Sequence, residues 1–229
     1  MIFDLFRNGF TIELVVKLGA RLFVLFCVLP IHEFAHAVVA NALGDRTAKL
    51  GGRLTLNPLA HLDLVGTLMI LLVGFGYAKP VPVNSRNFKN PKSGMALTAA
   101  AGPASNLVMA LLYSVLYWII YAVMASSGVS NFASYLMQFC FFVAQINVML
   151  AVFNLIPVPP LDGSRILALF IPDKYLYKIQ PYERYIVLGI FALILFGVLD
   201  TPMSIASSAL MRGVMKLAAL PFGYGNLVA

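Results

Sequence analysis

From Ser93 to Leu161 the chain runs for 69 residues without one Asp, Glu, Lys, Arg or His. No water-soluble fold needs such a stretch. A hydrocarbon core about 30 Å thick takes about 20 apolar residues per helical crossing, so this run holds two crossings and the turn between them. The rest of the chain agrees. Of 229 residues, 61% are hydrophobic and 11% are charged, against about 25% charged in an average soluble domain. A soluble globular enzyme and a disordered chain are both excluded. No segment is long enough for a separate soluble domain of ordinary size, so residues 1–229 read as one membrane-embedded domain.

Residues 1–21 mix charge with apolar residues at helical spacing (Phe3, Phe6, Phe10, Leu14, Leu18), the pattern of an interfacial helix. They lack the layout of a cleavable signal peptide. A first span follows over residues 22–43 and stops at Gly44-Asp45-Arg46. Arg53 to Pro58 alternates and then breaks, which reads as a short strand. Residues 64–78 are apolar but number only 15, about 22 Å of helix, so they either re-enter or make a short, shielded crossing. Further spans are expected over about 95–125 and 132–156. The second of these breaks at Pro157-Val158-Pro159-Pro160, where three prolines remove helical donors. Residues 172–229 read as C-terminal helices, with 205–220 either a last span or a surface helix. Cys27 and Cys140 lie in apolar runs and read as buried small hydrophobes.

The net charge of +7 would suggest nucleic acid in a soluble protein. Here the basic residues sit in loops, where they set orientation against an anionic leaflet, and no nucleic-acid partner is expected. Arg46, Lys49, Arg53, Lys79, Arg86, Lys89, Lys92, Arg165, Lys174, Lys178 and Arg184 all fall on one side if 64–78 re-enters. That side is expected to be the cytoplasm, with the uncharged turn 126–131 facing out. Arg7, Lys17 and Arg21 vote against this orientation.

The first span carries His32-Glu33-Phe34-Ala35-His36. Ionisable residues inside a hydrocarbon helix are expensive and read as functional by default. His32 and His36 are one turn apart on one face, so both imidazoles can reach one metal. Glu33 is displaced about 100° around the helix and can sit beside a metal-bound water without being a ligand. Neutral imidazoles at a tetrahedral site suggest one zinc ion, with a position left for water. Two histidines and a water leave one ligand missing. Asp162 follows the charge-free run and the proline break, where non-helical backbone at membrane depth is tolerated if it lines a site. Asp is also a good N-cap, and spacing alone leaves ligand and cap equally open. Asp45, Asp63, Asp173, Glu183 and Asp200 border spans, where charge is cheap. His61 reads as a loop histidine that could approach the site.

HEFAH on the first core span, together with Asn154-Leu155-Ile156-Pro157-Val158-Pro159-Pro160-Leu161-Asp162-Gly163, resembles the two signatures of the site-2 protease family of intramembrane zinc metalloproteases. Leu56 to Asp63, Ala78 to Asn84 and Ala101-Gly102-Pro103-Ala104-Ser105-Asn106 resemble further motifs of its compact prokaryotic branch. The resemblance covers about residues 30–165. It implies that His32, His36 and Asp162 bind zinc, and that Glu33 is the catalytic base of a peptide hydrolysis. No inserted PDZ or CBS domain fits, which leaves the mode of regulation open. Asn106 and Asn154 lie on the helices expected to flank the site. Either amide could serve as an oxyanion donor or simply make an interhelical hydrogen bond.

The expected architecture is therefore an all-α membrane protein. It is a polytopic transmembrane helix bundle with a short strand or re-entrant element and a proline-broken helix at the metal site. Its expected partners are the lipid bilayer and transmembrane protein substrates, and its expected place is the cell membrane, with the metal reached from the cytoplasmic side. A substrate helix must unwind or bind extended, because its carbonyls are otherwise occupied, and the strand near Leu54 offers an edge for it. Two other functions remain. One is a client-binding scaffold that does not cut, against which the intact Glu33 weighs. The other is a metal transporter, which needs ligands strung along a path and usually paired repeats, neither of which is present.

Overall fold

The computed structural model describes residues 11–63 and 79–228. The expected re-entrant segment 64–78 and the first ten residues of the expected interfacial helix lie outside the described residues.

The first helix, α1, is a single rod over Ile12–Ala42. It joins the expected interfacial helix to the first span, where the sequence suggests two elements. Thr11 caps it by accepting from the Leu14 N–H at 3.2 Å. A wider π turn, Val24–Val28, interrupts it just before Pro30. Pro30 has no N–H to give to the preceding turn, and a local widening is one way a helix absorbs that loss. Ala20, Val24, Val28, His32, His36 and Ala40 are all buried. A four-residue repeat drifts about 40° per step on a regular α-helix. The wider turn takes up part of that drift, so both halves of α1 present one face to the bundle.

Two single-turn helices follow, α2 (Thr47–Leu50) and α3 (Pro58–His61). The stretch from Arg53 to Pro58 is not a strand, and no strand occurs among the described residues. Its backbone bonds are local instead. The Arg53 N–H goes to Ala48 O at 2.8 Å, the Asn57 N–H to Thr55 Oγ1 at 3.1 Å, and the Arg53 guanidinium to Ala60 O. The alternation marks which side chains face inward, but no partner strand occurs among the described residues to take up a ladder.

Next come α4 (Pro91–Ser127), α5 (Asn131–Asn154), α6 (Asp162–Leu167), α7 (Asp173–Ile179), α8 (Glu183–Leu195) and α9 (Asp200–Ala219). Among the described residues, four helical segments are long and apolar enough to cross a membrane: Ile12–Ala42, Pro91–Ser127, Asn131–Asn154 and Asp200–Phe222. The last includes the stretch 205–220 that the sequence leaves undecided.

Helix α4 is the spine of the bundle, packing on α5, α1, α6 and α9. Its buried positions include Thr98, Gly102, Asn106, Ala110, Ser114 and Trp118, each four residues from the last. Most are small, which lets helices approach closely where no hydrophobic drive separates protein from lipid. Toward its C-terminal end α4 meets α5 and α9 through Trp118, Ala144, Val148, Met211 and Met215, and the Trp118 indole donates to Met215 O at 3.1 Å. Toward its N-terminal end α4 meets α1 and α6, and the functional site lies there.

Candidate metal centre

Three elements contribute to the site. Helix α1 brings His32 and His36, one turn apart and both buried. The proline break after α5 lets the chain turn back, and α6 then starts with Asp162. Helix α4 supplies a close-packed wall.

The three side chains converge. His32 Nε2 and His36 Nε2 are 3.1 Å apart. Asp162 Oδ2 lies 3.5 Å from His32 Nε2 and 3.3 Å from His36 Nε2. Two donor atoms each about 2.1 Å from a tetrahedral ion stand about 3.4 Å apart. The triangle therefore has the dimensions of three corners of a zinc tetrahedron. Asp162 Oδ2 is buried and has no hydrogen-bond partner, a costly state for a carboxylate unless a cation takes that place. Donor set, spacing and the orphaned oxygen all fit a zinc ion. The N-cap of α6 is Leu161, and Asp162 makes no capping bond.

The wall fixes the rings. The His36 Nδ1–H donates to Thr98 O at 2.7 Å, which leaves Nε2 as the lone-pair nitrogen facing the cluster. A backbone carbonyl behind a ligand histidine is a common way to set its tautomer and orientation. Gly102, one turn further along α4, lies directly against both imidazoles, and a Cβ there would collide with the His36 and His32 rings. Gly163 is constrained in the same way. A Cβ would strike the carbonyls of Leu155 and Ile156, so the tight turn carrying Asp162 requires glycine.

Glu33 is half-buried beside the triad. Its Oε2 accepts the Val81 N–H at 3.1 Å, which ties the carboxylate to the extended segment 79–84. Asn106, one turn beyond Gly102, is fully buried, and both its Oδ1 and Nδ2 lack partners. Asn154 is half-buried, and its Nδ2 donates to Leu150 O of its own helix at 3.0 Å rather than across helices. His61 is buried and bonds Thr55 O through Nε2 at 2.8 Å. It does not join the triad.

Two groups beside the centre, the Thr98 carbonyl and the Val81 N–H, carry no signal in the residue pattern, and neither does the buried carboxylate of Asp45 beyond the end of α1. Asp45 follows Gly44 at the end of α1. Burial acts to raise its carboxyl, but hydrogen bonds from the Thr47 hydroxyl, the Asn87 amide and the N–H groups of Asn84 and Thr47 outweigh this and hold it below the ordinary carboxylate range.

A buried pair of histidines one turn apart, an aspartate closing the triangle and a glutamate at its side, all inside a bundle of apolar helices, is the arrangement of a membrane-embedded metallohydrolase. Comparison with known proteins agrees. Residues 119–198 match the model of peptidase family M50, a stretch that includes Asp162 but not the two histidines. The candidate zinc metalloprotease YwhC of Bacillus subtilis (strain 168) is 46% identical over 154 residues, 67% of this chain and 70% of that protein. The candidate zinc metalloprotease Rip2 of Mycolicibacterium smegmatis is 32% identical over 143 residues, 59% of this chain and 51% of that protein. Rip2 of Mycobacterium tuberculosis (strain H37Rv) is 29% identical over 176 residues, 73% of this chain and 62% of that protein. The chain thus spans between half and two thirds of the mycobacterial relatives. No solved structure gives a significant match. The chain belongs to peptidase family M50, the site-2 protease family, and is a multi-pass membrane metalloprotease.

Proposed function

We propose that the chain is an intramembrane zinc endopeptidase that hydrolyses peptide bonds in membrane-spanning protein substrates. The observation that carries this reading is the triangle of His32 Nε2, His36 Nε2 and Asp162 Oδ2, with edges of 3.1, 3.5 and 3.3 Å. These three atoms would hold one zinc ion per chain. Bound there, zinc supplies Lewis acidity, making a water acidic enough to lose a proton near neutral pH and polarising a carbonyl.

The chain's own groups do the rest. Glu33 accepts the proton of the attacking water and later gives it to the leaving amine, the ordinary work of a general base turned acid. The Val81 N–H holds one carboxylate oxygen, which restricts the rotamer and leaves the other oxygen for proton transfer. The Thr98 carbonyl keeps the His36 ring turned toward the centre. The developing oxyanion needs a further donor. Asn106 is the better candidate, since its amide is buried one turn from Gly102 with no partner, whereas the Asn154 amide is committed to Leu150 O. The bilayer site excludes bulk water, which strengthens each of these polar interactions.

Substrate must present an unwound segment, because a helical carbonyl is already bonded within its helix. The lysine and arginine count of the loops supports a cytoplasmic mouth in the cell membrane. The test is purified protein mixed with a panel of single-span membrane proteins, with and without a zinc chelator. Cleavage that the chelator stops and added zinc restores is expected. Glu33→Gln should keep zinc and lose cleavage about a hundredfold to ten-thousandfold. Wild-type cleavage by Glu33→Gln would rule out the base assignment.

A further inference from the structure

Asp45 is fully buried just beyond the end of α1, and two chain segments close on it. Its Oδ1 accepts from the Thr47 N–H at 3.1 Å, from the Thr47 hydroxyl and from Asn87 Nδ2 at 2.7 Å. Its Oδ2 accepts the Asn84 N–H at 2.7 Å. Bonds of this kind, with an ionised acceptor, are about twice as strong as neutral ones.

Two of the four donors, Asn84 and Asn87, belong to the segment that carries Val81. That segment is pinned at its start by the Lys79 N–H on His61 O at 2.7 Å. Its middle runs past Glu33. Pro80 and Pro82 have no N–H, so the Val81 N–H is the one backbone donor of residues 80–82, and it goes to Glu33 Oε2 at 3.1 Å. The Val81 side chain packs on Ala37 and Ala48. From Val81 the next hydrogen-bonded anchor is Asn84, held by Asp45. Fixing Asp45 therefore fixes how far along α1 the Val81 N–H stands.

We propose that Asp45 is a positioning residue for Glu33: its buried carboxylate holds segment 79–88 so that the Val81 N–H clamps Glu33 Oε2 in the rotamer used for proton transfer. This rests on the reading of Glu33 as the base. The role is distinct from that of the metal triad, because Asp45 lies nine residues beyond His36, outside the transmembrane part of α1.

The test uses the zinc-loaded full chain and a single-span substrate. Asp45→Asn removes the charge at nearly constant size. Val81→Pro removes the clamping N–H directly and suits an extended segment already flanked by prolines. Each variant should lose about tenfold to a hundredfold in kcat, the scale of a small misplacement of a reacting group. KM and zinc content should be unchanged. The double variant should lose no more than the worse single one, since both act through one contact. A purely structural Asp45 gives another pattern, with Tm lowered in Asp45→Asn and kcat unchanged below Tm. That pattern overturns the proposal. Should Asp45→Asn fail to fold, Val81→Pro decides alone, and wild-type kcat in it overturns the clamp. Glu33→Gln is assayed alongside. Full activity in Glu33→Gln defeats the base reading and this inference with it. An inactive Glu33→Gln beside fully active Asp45→Asn and Val81→Pro defeats this inference only.

Discussion

Among the described residues, Asp45 is fully buried and Asp162 buries its Oδ2, and the surroundings of these two carboxylates are opposites. Asp45 accepts four hydrogen bonds from Thr47, Asn84 and Asn87. Asp162 Oδ2 accepts none and faces two imidazole nitrogens. A buried carboxylate with all its needs met by the protein is complete and works by holding chain segments in place. A buried carboxylate left unmet beside two histidines is complete only with a cation. The same side chain thus serves structure at the end of α1 and is placed to take a cation at the start of α6. Its donors decide which, not its burial.

The contrast can be sharpened by substitutions that touch one site and spare the other. The largest effect is expected from Gly102→Ala, which puts a methyl group against both imidazole rings. Zinc affinity should fall at least about tenfold to a hundredfold, the range seen when supports behind metal ligands are disturbed. Competition with a fluorescent chelator measures it, and unchanged affinity would mean that the rings can shift without cost. A smaller effect is expected from Asp45→Ala, about 2–3 kcal/mol of stability, because buried donors lose an ionised acceptor. Its zinc content should stay at the wild-type level, and loss of zinc there would erase the distinction between the two aspartates.

The smallest effect is the pH response of Asp45. Its folded pKa lies below the ordinary value of 3.8. Its contribution to stability is therefore complete above that value and is lost as pH falls through the lower, folded value. Zinc-free protein in detergent should lose stability more steeply below about pH 4 than the Asp45→Asn variant. Parallel curves for the two proteins would contradict the assignment.

The parts of this site that sequence makes legible are local. His32 and His36 share a helical face by their spacing alone, and Glu33 falls beside them for the same reason. The long spans are equally readable, because 20 apolar residues have few other places to go. Asp162 is harder. Its position after a proline break suits a cap as well as a ligand, and only the turn itself shows Leu161 in the capping place. The Thr98 carbonyl and the Val81 N–H are backbone groups, which every residue has, so no residue type announces them. Asp45 sits at a span boundary where a charge is cheap, and two of its four donors come from about 40 residues further along the chain. The alternation from Arg53 to Pro58 reads as a strand because pattern reports which faces are apolar and says nothing of a pairing partner. Gly102 belongs to a recognisable motif, but the reason for a glycine appears only when α1 packs against α4.

The most direct test of the central claim is the zinc content of purified wild-type protein beside that of Asp162→Ala, measured by elemental analysis with X-ray absorption at the zinc edge. The account predicts about one zinc per chain in the wild type, held by two imidazoles and oxygen donors, and severe loss of the ion in Asp162→Ala. One full equivalent of zinc in Asp162→Ala, with an unchanged absorption spectrum, would show that the triangle of His32, His36 and Asp162 is not the metal site.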